Sequence, residues 1–330
     1  MPQVLCRIGL GALVVKAPPT PMSIFIARIV ASAATCLTLP YGFAAVNSCD
    51  HIRRMFDIWR RGYVPLPYSP YFLHLVSTLY ITKDYAIEQF KAELIKFKNS
   101  LAEYLGVEIA DETLRDAIRA CNESRRLLTR LYDLRKRDNP PISGAQALAV
   151  VIAGTCMPKA EYNQMLGALV EELDSAKGIS EYGARVMLVG SEIDDPDFVK
   201  LIEDLGGLVV ADYSCFGPIY FWDLVDESLD PMEGLAKRYL RRLSCPRMVE
   251  EHASRTSFIK EIAEDFGVNG LIFQRLLYCD VWSGERAMLA WEAEEAGVPF
   301  LSLEREYPIG AAGTLKTRIE AFLEMIGGEI

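Results

Sequence analysis

Histidine is scarce in this sequence: His51, His74 and His252 are the only three, and no two stand four residues apart. That excludes a histidine-rich zinc centre of the metalloprotease kind, which needs paired imidazoles on one helix face. Positive charge is short too. Against 35 Lys and Arg stand 45 Asp and Glu, a net charge of −10 with a pI near 5.0, whereas general nucleic-acid binding runs on surplus cations against phosphate. The eight cysteines never fall within four residues of one another, so zinc ribbons, thioredoxin-like pairs and ferredoxin runs are excluded. Long apolar runs are also missing. Ile8 to Val15 follows Arg7 but leads into Lys16 and Pro18-Pro19, where a secretory signal wants small residues. Ile24 to Leu39 is broken by Arg28 and ends at Pro40. It reads as a buried helix, since a membrane span needs about 20 predominantly apolar residues. The expectation is a cytoplasmic protein with reduced thiols that meets neither nucleic acid nor membrane.

What is present is material for a core. The 330 residues are 51% apolar and only 24% charged, enough for two or three structural units and too apolar for disorder. Phe43 to Val46 feeds into Asn47-Ser-Cys-Asp50, after which Ile52, Met55, Phe56 and Trp59 recur at helical spacing. This predicts a strand–turn–helix unit. Pro65, Pro67 and Pro70 precede a second strand at Tyr71 to Val76. Thr82 reads as the cap of a helix carrying Ile87, Phe90, Leu94, Phe97 and Leu101, and Asp111 opens another carrying Leu114, Ile118, Cys121, Leu128 and Leu131. Two more helices fill Ser143 to Ser175, so residues 82–178 are mostly helical. Beyond them, Val186 to Val189, Leu208 to Ala211, Gly270 to Phe273 and Phe300 to Leu303 are strands, each followed by a helix; Asp195-Pro196 is a cap with proline in the first turn. The fold class is α/β: two Rossmann-like or flavodoxin-like parallel-sheet units with a helical segment between them, divided as 1–80, 81–178 and 179–330.

In such sheets ligands bind beyond the carboxyl ends of the strands. Cys49, Cys215 and Cys279 follow three of the strand ends. Cysteine is usually a small buried hydrophobe, and Cys121, on an apolar helical stripe, has that character. A cysteine opening a helix differs, because the helix dipole and free amides favour the thiolate that binds metal or attacks an electrophile. Other motifs are weaker. Gly9-Leu10-Gly11 lacks the third glycine of a dinucleotide fingerprint, and Gly310 to Thr317 lacks the glycine directly before Lys-Thr that a phosphate loop needs. The latter still offers helix-terminal amides to an anion such as a CoA phosphate. Glu304 and Glu306 flank Arg305 as catalytic groups or a solvated ion pair; Lys237, Arg238, Arg241 and Arg242 read as a solvated helix face or a phosphate contact.

The stretch Asn47 to Arg60 resembles the cysteine–aspartate turn of the 2-hydroxyacyl-CoA dehydratase and benzoyl-CoA reductase family. Gly270 to Asp280 followed by Trp282-Ser-Gly-Glu285, and Gly297 to Tyr307 followed by Gly313 to Phe322, are similar to its later blocks, in family order. The resemblance runs from about Gly42 to the end. Members usually carry a longer amino-terminal segment that helps form the acyl-CoA pocket, so the front of this chain reads as shortened. Thr314 also replaces a glutamine common before Leu-Lys-Thr-Arg.

The resemblance implies an oxygen-sensitive 4Fe–4S cluster held by three cysteines far apart in sequence. Cys49 matches the second ligand and Cys279 the third. Cys6 is the candidate first ligand and Cys36 the alternative; Cys215 lies in a family block but is not carried over as a ligand. Cys36 precedes the amino end of the Phe43 strand, whose rise of about 3.3 Å per residue holds it roughly 10 Å or more from Cys49. The catalytic residues are not implied. The resemblance also implies radical chemistry: one electron added to an acyl-CoA thioester gives a ketyl that expels the 2-hydroxyl, or begins reduction of a benzoyl ring. The low-potential electron comes from a separate ATP-hydrolysing iron–sulfur activator, which fits a chain without a phosphate loop. The partner is a related second subunit, or a second copy of this chain. Two alternatives stand beside the catalytic-core subunit. One is a homodimeric reductase of small molecules with a double-cubane 8Fe–9S cluster, and the other is a non-catalytic scaffold subunit.

Overall fold

The computed structural model describes residues 42–49, 52–54, 56–57, 72–306 and 312–327. Cys6, Cys36, the apolar stretches Ile8 to Val15 and Ile24 to Leu39, Gly9-Leu10-Gly11 and the prolines at 65, 67 and 70 lie outside the described residues. The elements run β1 (Gly42–Val46), β2 (Phe72–Val76), α1 (Asp84–Leu105), α2 (Asp111–Leu134), α3 (Gly144–Cys156), α4 (Lys159–Asp174), β3 (Ala184–Gly190), α5 (Pro196–Asp204), β4 (Gly207–Tyr213), α6 (Pro218–Phe221), α7 (Pro231–Arg241), α8 (His252–Asp265), β5 (Gly270–Leu276), α9 (Asp280–Glu295), β6 (Phe300–Arg305) and α10 (Ala312–Gly327). The chain is α/β, as its alternating pattern predicts, and forms two compact units, each assembled from separated segments. Among the described residues no helix is long and apolar enough to cross a membrane.

The first unit draws on residues up to Ser124, on Ala153–Asn163 and on Leu224–Arg242. Its β1 and β2 pair in parallel from Gly42 against Phe72 to Val46 against Val76. Parallel neighbours need a crossover of a dozen or more residues, and the stretch after β1 that carries Cys49 supplies it. Helix α1 packs on β2 and α7 through Ile87, Phe90, Phe97 and Leu101, the stripe expected from their spacing. Its cap is Lys83, which makes no side-chain cap bond, so Thr82 is not the cap. The fully buried Asn122 ties down the segment before α7: its Nδ2 donates to the Val225 carbonyl and to Glu227 Oε1, both at 2.8 Å, and its Oδ1 accepts from the Val225 amide at 3.0 Å. On α7, Lys237 pairs with Glu233 at 2.6 Å and Arg241 with Asp84 at 2.9 Å. Arg238 is buried, which corrects its reading as part of a solvated face.

The second unit comprises Arg125–Ile152, Gln164–Asp223 and Leu243–Ile330. Its sheet has the order β4-β3-β5-β6, every pair parallel. Near-continuous burial along β3, β4 and the first part of β5 explains their unbroken apolar sequences: both faces are covered. Right-handed crossovers running to opposite sides of β3 put α5 and α10 on one face and α8 and α9 on the other, in accord with their contacts. On the first face Gly270 lets the sheet approach α10, since a Cβ there would lie 2.8 Å from Phe322 Cζ. On the second, Tyr213 meets Phe258 and Trp282 at ring separations of 5.7 and 6.3 Å, and Trp282 meets Phe273 at 5.9 Å.

A polar clasp joins α8 to α9. His252 lies between two carboxylates that one face of α9 presents, Nδ1 at 3.0 Å from Glu285 and Nε2 at 3.0 Å from Glu292. Arg255 Nε donates to the same Glu285 at 2.8 Å, and its Nη1 to the Met248 carbonyl at 2.8 Å. Burial pushes the His252 imidazolium down, but the hydrogen bonds and charges of Glu285 and Glu292 outweigh it and raise its pKa.

The clasp makes stability depend on pH. A raised imidazole pKa stabilises the fold fully below the unfolded value near 6.5 and loses that contribution as pH climbs through the folded value. His252→Ala should therefore cost roughly 1–3 kcal/mol near pH 5.5 and less near pH 8, as read from urea midpoints across that range. A second expected effect concerns the end of β3. Gly190 has φ 141°, and a Cβ there would lie 1.9 Å from the Gln274 carbonyl oxygen. Gly190→Ala should destabilise by about 3 kcal/mol or more. Gly284→Ala, in the middle of α9 with open space around it, should be neutral or stabilise by up to about 1 kcal/mol.

Candidate functional site

From β3 the chain passes to β4 on one side, and the later β5 lies on the other side of β3. The sheet of the second unit therefore has its topological switch point at the carboxyl ends of β3 and β5, where open parallel sheets take ligands. The residues there are polar. Ser191 Oγ accepts the Leu276 amide at 2.6 Å, and the Ser191 amide donates to the Gln274 carbonyl at 3.0 Å, extending the ladder past Gly190. The Gln274 side chain, fully buried, donates to the carbonyls of Ser191 and Glu192 and accepts from Arg305 Nε at 2.9 Å. Arg305 Nη2 donates to the Glu192 carbonyl at 3.1 Å, and its guanidinium lies 4.9 Å from the Phe198 ring centre.

The Glu192 peptide is thus held from two strands, and its carboxyl behaves unusually. Burial, then the neighbouring Asp194 charge, push its pKa up to about 7 against the pull of Arg305. A second carboxyl stands at the end of β4. Asp212 accepts from Tyr132 Oη at 2.7 Å and from Ser214 Oγ at 2.7 Å, with Arg135 Nη1 at 4.0 Å. Burial raises its pKa, opposed by Arg135, Tyr132 and Ser214. A Cβ on Gly217 would lie 1.8 Å from Asp212 Oδ2, so only glycine lets the turn bearing Cys215 fold back over this carboxyl.

Cys279 occupies the turn between β5 and α9. Its amide donates to the Leu276 carbonyl at 3.0 Å, and its own carbonyl accepts the Ser283 amide at 3.0 Å, the first bond of α9. It therefore stands at the helix amino end, where the dipole favours a thiolate. Tyr278 just before it adopts φ 68°, although it is not glycine, and its side chain is 77% exposed. The left-handed region costs a residue with a Cβ roughly 1–2 kcal/mol, and no burial of Tyr278 offsets it.

Cys49, in the first unit, is built the same way. The Asn47 amide continues the β1–β2 pairing to the Val76 carbonyl at 2.8 Å, the Ser48 amide turns back to Val46 at 2.7 Å, and the Cys49 carbonyl accepts the Arg53 amide at 3.0 Å to open a helix. Both thiols are half-exposed and outside any disulfide. Cys121 and Cys215 are also half-exposed, so Cys121 is less buried than its stripe suggests. Among the described residues no three His, Cys, Asp or Glu side chains gather as a metal site; Cys6 is not among them.

The reading of Glu304 as an ion-pair partner of Arg305 is corrected. Glu304 pairs with Arg275, its neighbour across β5 and β6, whereas Arg305 is buried and bound to Gln274. Sequence reasoning also missed Ser191, Glu192, Asp212 and Gln274. Only the polar residues directly behind apolar runs gave any signal for them.

Known proteins resemble this chain over most of its length. A putative dehydratase subunit, YjiM, of Escherichia coli K12 is 28% identical over 85% of this chain and 73% of its own length. A benzoyl-CoA reductase subunit of Thauera aromatica is 26% identical over 86% and 74%. The (R)-phenyllactyl-CoA dehydratase beta subunit of Clostridium sporogenes is 23% identical over 86% and 75%. The family model described as 2-hydroxyglutaryl-CoA dehydratase, D-component, matches residues 25–326, and the chain belongs to that family.

Proposed function

We propose that this chain is a cytoplasmic iron–sulfur subunit of a 2-hydroxyacyl-CoA dehydratase or benzoyl-CoA reductase type of enzyme, acting on an acyl-CoA thioester. Its family membership and its relatives' names as subunits of dehydratases and a reductase support an enzyme-subunit role. The observation that carries the cofactor is the repeated strand–turn–helix placement of two half-exposed cysteine thiols, Cys49 and Cys279. Soft thiolates at helix amino ends suit iron, and three protein ligands would leave one iron of a cubane open. Cys49 and Cys279 would hold a 4Fe–4S cluster together with Cys6. Bound there, the cluster supplies one-electron chemistry to the thioester. The chain's own part is to hold the thiols: Leu276 and Ser283 fix the Cys279 backbone, and Arg53 fixes that of Cys49. A related second subunit and an ATP-hydrolysing iron–sulfur activator complete the system.

Anaerobic reconstitution tests the reading. Wild-type protein should take up about four irons per cubane cluster, with broad visible absorption from thiolate-to-iron charge transfer. Cys49→Ala and Cys279→Ala should each lose most of that iron, and Cys121→Ala should keep it. Full iron in both ligand variants would sink the assignment.

A further inference from the structure

Thiol chemistry leaves one feature of the second unit unused: the polar lock at the carboxyl ends of β3, β5 and β6. Gln274 and Arg305 are almost completely buried, and both spend donors on the carbonyl of one loop residue, Glu192. Ser191, one residue earlier, binds the Leu276 amide, and the Leu276 carbonyl takes the Cys279 amide. The Glu192 loop is therefore fastened, through two hydrogen bonds at Leu276, to the turn that presents Cys279. It stands at the switch point of the sheet, where a ligand is expected. The charged groups that act on it are Asp194 on its own loop and Arg305 at the end of β6. Among the described residues its carboxyl receives no hydrogen bond, so its oxygens are uncommitted.

We propose that Glu192 is the proton donor and acceptor of this strand-end site, exchanging a proton with an oxygen of a bound acyl thioester. The ligand class rests on the function proposed above; the proton exchange rests on the second unit alone. In the step, the carboxyl O–H bond breaks as an O–H bond forms on an anionic ligand oxygen, that of the thioester's enolate. The negative charge so passes from the ligand oxygen to Glu192 and leaves a carboxylate and a neutral enol hydroxyl. The reverse transfer restores both, and no electron moves. A carboxyl poised near neutrality suits that exchange, because proton donors and acceptors work best with a pKa near the working pH.

The test uses the full chain labelled with carbon-13 at glutamate and aspartate carboxyls, as wild type, Glu192→Gln and Glu192→Asp. One glutamate resonance should titrate with a midpoint of about 7, vanish in Glu192→Gln and give way to a titrating aspartate resonance in Glu192→Asp. Propionyl-CoA binding to the wild type should weaken roughly tenfold per pH unit above that midpoint. In Glu192→Gln, a neutral mimic, it should not vary with pH. Titration of Glu192 in the ordinary carboxylate range, near 4.3, would overturn the proposal. So would thioester binding that ignores the Glu192 charge. A titration near neutrality with no propionyl-CoA binding at any pH would instead overturn the thioester as ligand, and with it the function on which that part rests. Amide spectra of both variants matching wild type would show that the fold is intact.

Discussion

The close approach of β3 to β5 at their carboxyl ends is the constraint on which the second unit depends. Gly190 brings its backbone against the Gln274 carbonyl where a side chain has no room. That contact lets the ladder continue one residue beyond the strand, so that Ser191 reaches both Gln274 and Leu276. Past this point the chain must diverge, because β3 feeds a helix on one face and β5 a helix on the other. Open parallel sheets take ligands at such a divergence, and the residues here, Ser191, Gln274 and Arg305, are polar and bonded to one another's elements.

Holding Cys279 is a consequence of the same arrangement. Its turn is fixed from behind by Leu276, which Ser191 holds, and from the front by α9, which His252 and Arg255 clasp to α8. Tyr278 bears the left-handed backbone that this tight turn requires. A glycine would adopt it without strain. Observed strain of this kind points to a position whose surroundings over-determine it, and the turn is bounded on both sides by fixed elements.

Much of the fold was legible in the sequence because its strands are buried on both faces. Val186 to Val189, Leu208 to Ala211 and Leu271 to Phe273 read as continuous apolar runs, and each lies within an observed strand. The same rule hid the ends. β5 runs on to Leu276 through Gln274 and Arg275, and β6 to Arg305 through Glu304. Polar residues behind an apolar run look like loop, yet they continue the ladder. Strand alternation then gives adjacent residues different fates: Glu304 faces Arg275 across the pair, and Arg305 turns inward to Gln274. Placement of Cys49 and Cys279 behind strands was legible because a cysteine beside aspartate at a helix start is conspicuous. Glu192 was not, since its character comes from burial and from Asp194 and Arg305, and Arg305 is more than a hundred residues away in the chain.

Burying Arg305 rather than an apolar side chain is a costly way to close a sheet edge. A buried cation must recover its lost hydration through hydrogen bonds and nearby charge, and Arg305 does so with Gln274, two backbone carbonyls and the Phe198 ring. An aliphatic residue could fill the volume, but it would take one of two donors from the Glu192 carbonyl and leave Gln274 Oε1 without its Arg305 donor, and an unsatisfied buried group costs about 1–3 kcal/mol. What the cation secures is one conformation of the Glu192 peptide, with its carboxyl beside a positive charge that limits how far burial can raise its pKa. Without Arg305, burial and Asp194 would act unopposed and raise the carboxyl's pKa further. With the cation present, both protonation states are accessible, as reversible proton exchange demands.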